Sequence, residues 1–231
     1  MQIRNRTRWM IGALVAFCLP LTVVAGTTDT SRAAMTAMDM SASSVAHDMA
    51  MHGPATQQMM STESSVSTWR SYAVPNLTLT NQFGAPVSLD KVLTGDKPVL
   101  VQFFYASCTT ICGVRSAQLV AIAKKLVKAD IDIDFYTITT DPDRDTPARL
   151  LSYSREFGPP PANWSLVTGT LAQTKQVQAS FDASDPADNR MFHRPETFIR
   201  AGRNAQWLRI DGMTTALQLE NQIKMVVARA Q

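Results

Sequence analysis

From residue 65 onward, apolar runs alternate with amphipathic stretches. Residues 99–104 form a nearly continuous apolar run after Pro98, which is typical of a strand covered on both faces. Residues 114–128 place apolar side chains at helical spacing with lysines between them, and the alternation over 131–140 predicts a second strand. A right-handed crossover would make the two strands parallel, so the pattern predicts an open α/β sheet.

Shorter patterns extend this sheet at both ends. They predict a mixed sheet with an N-terminal β-hairpin, and a C-terminal hairpin followed by a helix. The predicted elements are a hairpin of strands 77–80 and 87–89, a helix over 148–157, a strand over 165–168, a helix over 171–181, a hairpin of strands 197–200 and 206–210, and a helix over 215–230.

The N-terminal part has a different character. Residues 1–25 carry three arginines followed by an apolar run over 9–25, the pattern of a signal peptide or an N-terminal membrane anchor. As a helix the run would reach only about 25 Å, short of a bilayer core of about 30 Å. We therefore expect an exported protein on the periplasmic side, either soluble after cleavage or anchored in the inner membrane by residues 9–25. Residues 26–67 are expected to form a tether without a core, and residues 68–231 the folded domain.

Charge narrows the range of partners. The chain has 22 lysines and arginines against 19 acidic residues, a formal net charge of +3. Arg4, Arg6 and Arg8 supply the whole excess, so the expected domain carries no basic surplus. This balance argues against nucleic acid as a partner, while membrane association through the N-terminus stays open.

Two cysteines remain once Cys18 in the N-terminal run is set aside. Cys108 and Cys112 are separated by three residues, where the buried strand should turn into a helix. If the helix has begun by Cys108, this spacing puts both sulfurs on one helix face, an arrangement that suits metal binding at least as well as disulfide exchange. Because Cys112 would lie in the first helical turn, we expect its thiol pKa to be lowered. A disulfide closing this small loop is the structural alternative.

The expected tether holds a second group of metal-binding side chains. His47, Met49, Met51 and His52 lie close together in a segment where core packing cannot explain methionine. Thioether and imidazole donors favour copper, Cu(I) especially, so we expect auxiliary copper capture here. A low-complexity linker with incidental methionines is the alternative. The methionines concerned are Met35, Met38, Met40, Met49, Met51, Met59 and Met60.

Three motifs in order resemble the Sco/SenC family. They are residues 103–112 (FFYASCTTIC), residues 139–147 (TTDPDRDTP) and His193 before the last hairpin. The resemblance implies a thioredoxin-like domain that binds copper through Cys108, Cys112 and His193. It further implies delivery of copper to the CuA centre of cytochrome c oxidase, or to another copper enzyme, with an oxidase subunit as the receiving partner. Two thiolates and an imidazole form a donor set that suits Cu(I) and, with one more donor, Cu(II).

Acidic residues occupy every second position after the second predicted strand. Asp141, Asp143 and Asp145 could suggest calcium, but the glycine and distant glutamate of an EF-hand loop are missing. We expect Asp143 and Asp145 to cap the next helix or hold a turn. Asp141, at the strand end, is expected to orient the cysteine site or balance its charge.

Two functions fit these residues. The first is a copper chaperone, a binding protein rather than an enzyme. The second is a thiol:disulfide oxidoreductase in which Cys108 attacks a partner disulfide and Cys112 resolves it, which makes the cysteines catalytic and leaves His193 without a necessary role. A thiol-disulfide reductase is a further expected partner. A peroxidase lacks the required cysteine context.

Overall fold

The computed structural model describes residues 65–187, 189 and 194–229. Its strands are β1 Val66–Arg70, β2 Thr78–Asn81, β3 Pro86–Ser88, β4 Val99–Phe104, β5 Asp134–Thr139, β6 Trp164–Thr168, β7 Glu196–Arg200 and β8 Trp207–Asp211. Its helices are α1 Leu89–Thr94, α2 Ile111–Lys128, α3 Pro147–Arg155, α4 Leu171–Ser180 and α5 Ala216–Ala228.

The described strands form one mixed sheet of eight in the order β1-β8-β7-β4-β5-β6-β2-β3. β4, β5 and β6 are parallel neighbours, and α2 and α3 provide the crossovers between them. β7 lies antiparallel to β4 on its other side. The open α/β sheet, its central strand and both hairpins are therefore confirmed.

The core lies on both faces of the sheet, because β4 is buried along its whole length. On one face, Leu100 and Phe104 pack with buried residues of α2, α3 and α5. On the other face, Phe103 packs with α1 and with Phe181 at the end of α4. Alternate side chains of β4 thus pack against the helices on the two faces of the sheet, as expected of a sheet that is covered on both sides.

Two elements differ from the sequence prediction. Leu89 is not the end of a strand but the first residue of α1, where Leu89 and Leu93, four positions apart, are both fully buried. The edge strand β1, which pairs antiparallel with β8, was not predicted. It begins at Val66 and so includes the last two residues of the expected tether.

Several predictions concern residues outside the described part of the chain. They are the leader, the tether up to residue 64, and His193. In the part that is described, no helix combines the length and the apolar character needed to cross a membrane.

Candidate metal and thiol site

Three segments meet at one end of the sheet. The loop after β4 carries Cys108, the start of α2 carries Cys112, and the loop after the parallel strand β5 carries the aspartates. Because β7 runs antiparallel to β4, with Thr197 opposite Gln102, β7 begins at this same end. Ligand sites in open α/β sheets form at the carboxyl ends of parallel strands, so this edge is where a site is expected.

The two cysteines are free thiols with different surroundings. Cys108 lies in the loop, half-buried, and its N–H donates to the Tyr105 carbonyl at 3.1 Å. Cys112 is the second residue of α2 and only 1% exposed. Cys108 is therefore the more exposed of the pair.

The environment of Cys108 favours its thiolate. Burial acts to raise its pKa, but hydrogen bonds from the Cys112 thiol, the Thr110 side chain, and the backbone N–H groups of Thr110 and Cys112 outweigh burial and lower the pKa of Cys108 to about 6. The Thr110 hydroxyl lies 3.5 Å from the Cys108 sulfur. Cys108 is therefore mostly ionised at neutral pH.

The expectation for Cys112 is wrong. Burial, followed by its hydrogen bond to Cys108, raises the pKa of Cys112 to about 12. The start of α2 does present N–H groups to the site, but the N–H groups of Thr110 and Cys112 bond to Cys108. The loop residue, rather than the helical one, is thus the thiolate of the pair.

Asp145 has a role that the sequence did not predict. The cap of α3 is Thr146, whose side chain accepts from the Arg149 N–H, so of the two roles expected of Asp145, capping and holding a turn, capping is wrong. Asp145 is buried, and its Oδ2 accepts from the Ala106 N–H at 3.0 Å and from the Thr139 hydroxyl. It therefore joins the end of β5 to the loop that carries Cys108.

Asp141 is buried beside this contact. Its carboxylate pairs with Arg144 at 3.1 Å, its N–H donates to the Thr139 hydroxyl, and its carbonyl accepts from the Asp145 N–H at 2.9 Å. Asp141 thus shapes the loop that presents Asp145. Its expected part in orienting the site or balancing its charge stays a prediction.

Two further residues beside the cysteines lacked a clear sequence signal. Burial, followed by a hydrogen bond to Cys108, raises the pKa of Tyr105 to about 12. Arg115 is 5% exposed on α2, three positions after Cys112. The helical period places Arg115 on the same face as Cys112, and this spacing was the available signal.

The described residues supply two of the three predicted ligands. No group of three or more cysteine, histidine or acidic side chains that could hold a metal occurs within 65–187, 189 and 194–229. His193 lies outside those ranges, as do His47, Met49, Met51 and His52. His193 precedes β7, whose first residue is Glu196.

Comparison with known proteins identifies the family of the chain. The SCO1/SenC family model matches residues 67–228, from within β1 to the last residue of α5. The chain belongs to the SCO1/SenC family. Most of the chain lies within this match, which includes β1 from its second residue and the whole of β2 to β8.

Two curated relatives match part of the chain. The SCO1 protein homolog of Bacillus subtilis is 33% identical over 98 residues, 42% of this chain and 50% of the relative. The SCO2-like protein of Rickettsia felis is 29% identical over 114 residues, 48% of this chain and 56% of the relative. The chain thus matches about half the length of these relatives.

Solved Sco structures share the fold. A SCO1/SenC family lipoprotein from Bacillus anthracis superposes with a TM-score of 0.59 at 22% identity, covering 69% of this chain and 97% of that one. Arabidopsis thaliana ScoI with copper bound gives 0.55 at 20% identity, covering 68% and 98%. Yeast Sco1 with copper bound gives 0.56 at 19% identity, covering 69% and 94%. The thioredoxin-like fold of this SCO1/SenC member is therefore confirmed.

Proposed function

We propose that this SCO1/SenC protein binds copper through Cys108, Cys112 and His193 and passes it to a copper-requiring partner. One observation carries the proposal. A partly exposed thiolate at Cys108 and a buried thiol at Cys112 hydrogen-bond to each other at the edge of the sheet where β7 also begins. Two adjacent soft sulfur donors suit Cu(I).

His193 is the third proposed ligand because of its place in the chain. It stands three residues before Glu196, and the first residues of β7 lie beside the end of β4. An imidazole added to two thiolates gives the three-donor set that suits Cu(I). Arabidopsis ScoI and yeast Sco1, which share the fold, are described with copper bound.

Delivery, rather than permanent retention, fits the exposure of the pair. A carrier has to load and release its metal, and Cys108 is the donor that a partner's ligands could reach first. Binding copper requires loss of the Cys112 proton, because a metal ligates the thiolate. Protonation of Cys112, whose pKa is raised to about 12 by burial, would then favour release.

The proposed recipient is a cytochrome c oxidase subunit with a CuA centre, or another copper enzyme. A related solved protein is described as a member of the Sco family of cytochrome c oxidase assembly proteins. The proposed location is the periplasmic side, reached through the leader of residues 1–25.

The methionine- and histidine-containing tether is proposed to gather copper for the domain. Its support is compositional, since thioethers and imidazoles occur together around Met49 and Met51. Replacing the tether methionines from Met35 to Met60 by leucine should lower copper stoichiometry or transfer rate without unfolding the domain. Unchanged stoichiometry and rate would reduce the segment to a linker.

The test is anaerobic Cu(I) titration of the reduced full chain, competed against a chromophoric Cu(I) chelator. We expect tight binding by the wild type that is lost in the Cys108→Ser and Cys112→Ser variants. Ser107→Ala, next to the pair, is the matched control and should bind as the wild type does. Tight binding that survives both cysteine changes would contradict the proposal.

A thiol:disulfide oxidoreductase is the second candidate, favoured by the contrast between the two thiols. The Cys108 thiolate would attack a partner disulfide, break its S–S bond, release one partner thiolate and form a mixed disulfide. Cys112 would then lose its proton, attack the Cys108 sulfur and release the second partner thiolate. The partner gains two electrons and the cysteine pair becomes a disulfide. Rapid reduction of a partner disulfide by a chain that binds no copper would favour this function.

A further inference from the structure

Arg115 is a buried cation beside the cysteine pair. It is 5% exposed, and its guanidinium bonds only to neutral oxygens in the described part of the chain. Nη1 donates to the Phe103 carbonyl at 3.4 Å, and Nη2 donates to the Glu196 carbonyl and, at 3.1 Å, to the Thr197 hydroxyl. Within residues 65–187, 189 and 194–229, no carboxylate forms an ion pair with Arg115.

The acidic residue among these contacts, Glu196, already forms an ion pair with another cation. Glu196 gives Arg115 its carbonyl, while its carboxylate pairs with Arg209 at 2.6 Å. Arg209 also pairs with Asp211 at 2.8 Å. The buried Arg209 therefore has two carboxylate partners, whereas the positive charge of Arg115 has none among the described residues.

An unbalanced buried charge is costly, so its environment should hold a compensating anion. Arg115 follows Cys112 by three positions on α2, which separates their Cβ atoms by only about 5–6 Å. Burial lowers the pKa of Arg115 to about 10, which still leaves it protonated at neutral pH, and the cysteine sulfurs and Glu196 oppose this effect. Because the Glu196 carboxylate is already paired with Arg209, the sulfur pair, in which Cys108 carries the thiolate, is the group on this side of α2 that can balance the charge of Arg115.

We propose that Arg115 is the counter-ion of the Cys108–Cys112 pair, a positioning residue whose charge favours the anionic states of the site over the neutral disulfide. Two states are anionic. The reduced pair carries one thiolate, and Cu(I) held by two thiolates and a neutral imidazole carries a net charge of −1. The copper half of this inference rests on the proposed function, and the reduction half does not.

Two substitutions separate charge from hydrogen bonding. Arg115→Gln keeps N–H donors for the carbonyls but removes the charge, and Arg115→Lys keeps the charge with a different donor geometry. Arg155→Met, at an exposed position of α3, is the control for loss of a positive charge elsewhere. All variants are full-length chains, compared by circular dichroism and thermal unfolding before use.

The first readout is the equilibrium with glutathione, in which the Cys108–Cys112 disulfide and two glutathione thiols give the dithiol and glutathione disulfide. Arg115→Gln should shift this equilibrium about tenfold toward the protein disulfide, equivalent to about 30 mV of reduction potential. Arg115→Lys and Arg155→Met should stay close to the wild type. The second readout, Cu(I) affinity, should fall about tenfold or more in Arg115→Gln and be restored in Arg115→Lys.

Each outcome decides the inference. A wild-type equilibrium in Arg115→Gln, or equal losses in the Gln and Lys variants, would overturn it, because the residue would then act only through hydrogen bonds. If Arg115→Gln does not fold, the Arg115→Lys variant alone tests the inference. A wild-type glutathione equilibrium in Arg115→Lys supports the charge role, and a tenfold shift toward the protein disulfide overturns it. A wild-type chain that binds no Cu(I) would overturn the proposed function. The role of Arg115 as a counter-ion would then be tested by the glutathione equilibrium alone.

Discussion

The two cysteines have the same side chain, but their surroundings give the two thiols different pKa values. The pKa of Cys108 falls to about 6 although burial opposes it, because hydrogen bonds from Cys112 and Thr110 favour the thiolate. Burial raises the pKa of Cys112 to about 12. The sequence could locate this pair, but which thiol ionises depends on burial, and an amino-acid pattern does not report the burial of one side chain.

Thr110→Ala should raise the pKa of Cys108, because it removes the hydroxyl that lies 3.5 Å from the sulfur. Thr110 is the N-cap residue of α2, but its side chain makes no capping hydrogen bond, so the helix should persist. The measurement is the rate of iodoacetamide alkylation of the reduced chain against pH, with sites identified by mass spectrometry.

In the wild type, Cys108 reactivity should rise with pH through a midpoint near 6, because the thiolate is the nucleophile. The midpoint should move upward in Thr110→Ala and stay in place in Thr109→Ala, the neighbouring exposed threonine. A wild-type midpoint close to the ordinary thiol value of 9.0 would contradict this description.

At the scale of elements, the strands and helices formed by long apolar or amphipathic runs were predicted correctly, but their first and last residues were predicted less accurately. The strand over 99–104 matches β4, but α2 begins three residues before the predicted 114. Within α2 the buried face includes Arg115, while Val114 is 52% exposed. Hydrophobicity alone could not assign this face, because the buried polar residues there are satisfied by tertiary hydrogen bonds.

Asp145→Asn should destabilise the fold by about 1–3 kcal/mol, because two charge-assisted hydrogen bonds to one carboxylate oxygen are replaced by weaker bonds to a neutral amide oxygen. It should also weaken copper binding, since Asp145 holds Ala106, two residues before Cys108. The measurement is urea unfolding of the full chain together with Cu(I) titration. The exposed Asp143→Asn is the control, and equal effects of the two changes would contradict the role of Asp145.

At the scale of the molecule, the sheet extends to an edge strand that hydrophobic patterning missed. β1 is five residues long and mostly exposed, so it lacks the alternation that marks a half-buried strand. Its place depends on pairing with β8 and on the Arg229 guanidinium, which lies 4.5 Å from the centre of the Trp69 ring. Such distant pairings cannot be derived from local composition.

Trp69→Ala should lower the free energy of unfolding by about 1–2 kcal/mol, through lost apolar contact and the lost cation–π interaction. Val66→Ala, in the same strand and 59% exposed, should have a smaller effect. Urea unfolding of both full-length variants is the measurement. Equal stability of Trp69→Ala and the wild type would show that β1 adds little to the folded unit.

The central claim is a copper site that needs His193 as well as the two cysteines. The most direct test compares the Cu(I) affinity and the rate of dithiol exchange with glutathione disulfide in the wild type and in His193→Ala, with Gln206→Ala, an exposed polar residue between β7 and β8, as the control. We expect His193→Ala to lose about 100-fold or more in copper affinity, since one of three donors is removed, while exchange stays near the wild-type rate. Unchanged copper affinity in His193→Ala would contradict the ligand assignment, and with it the proposed site.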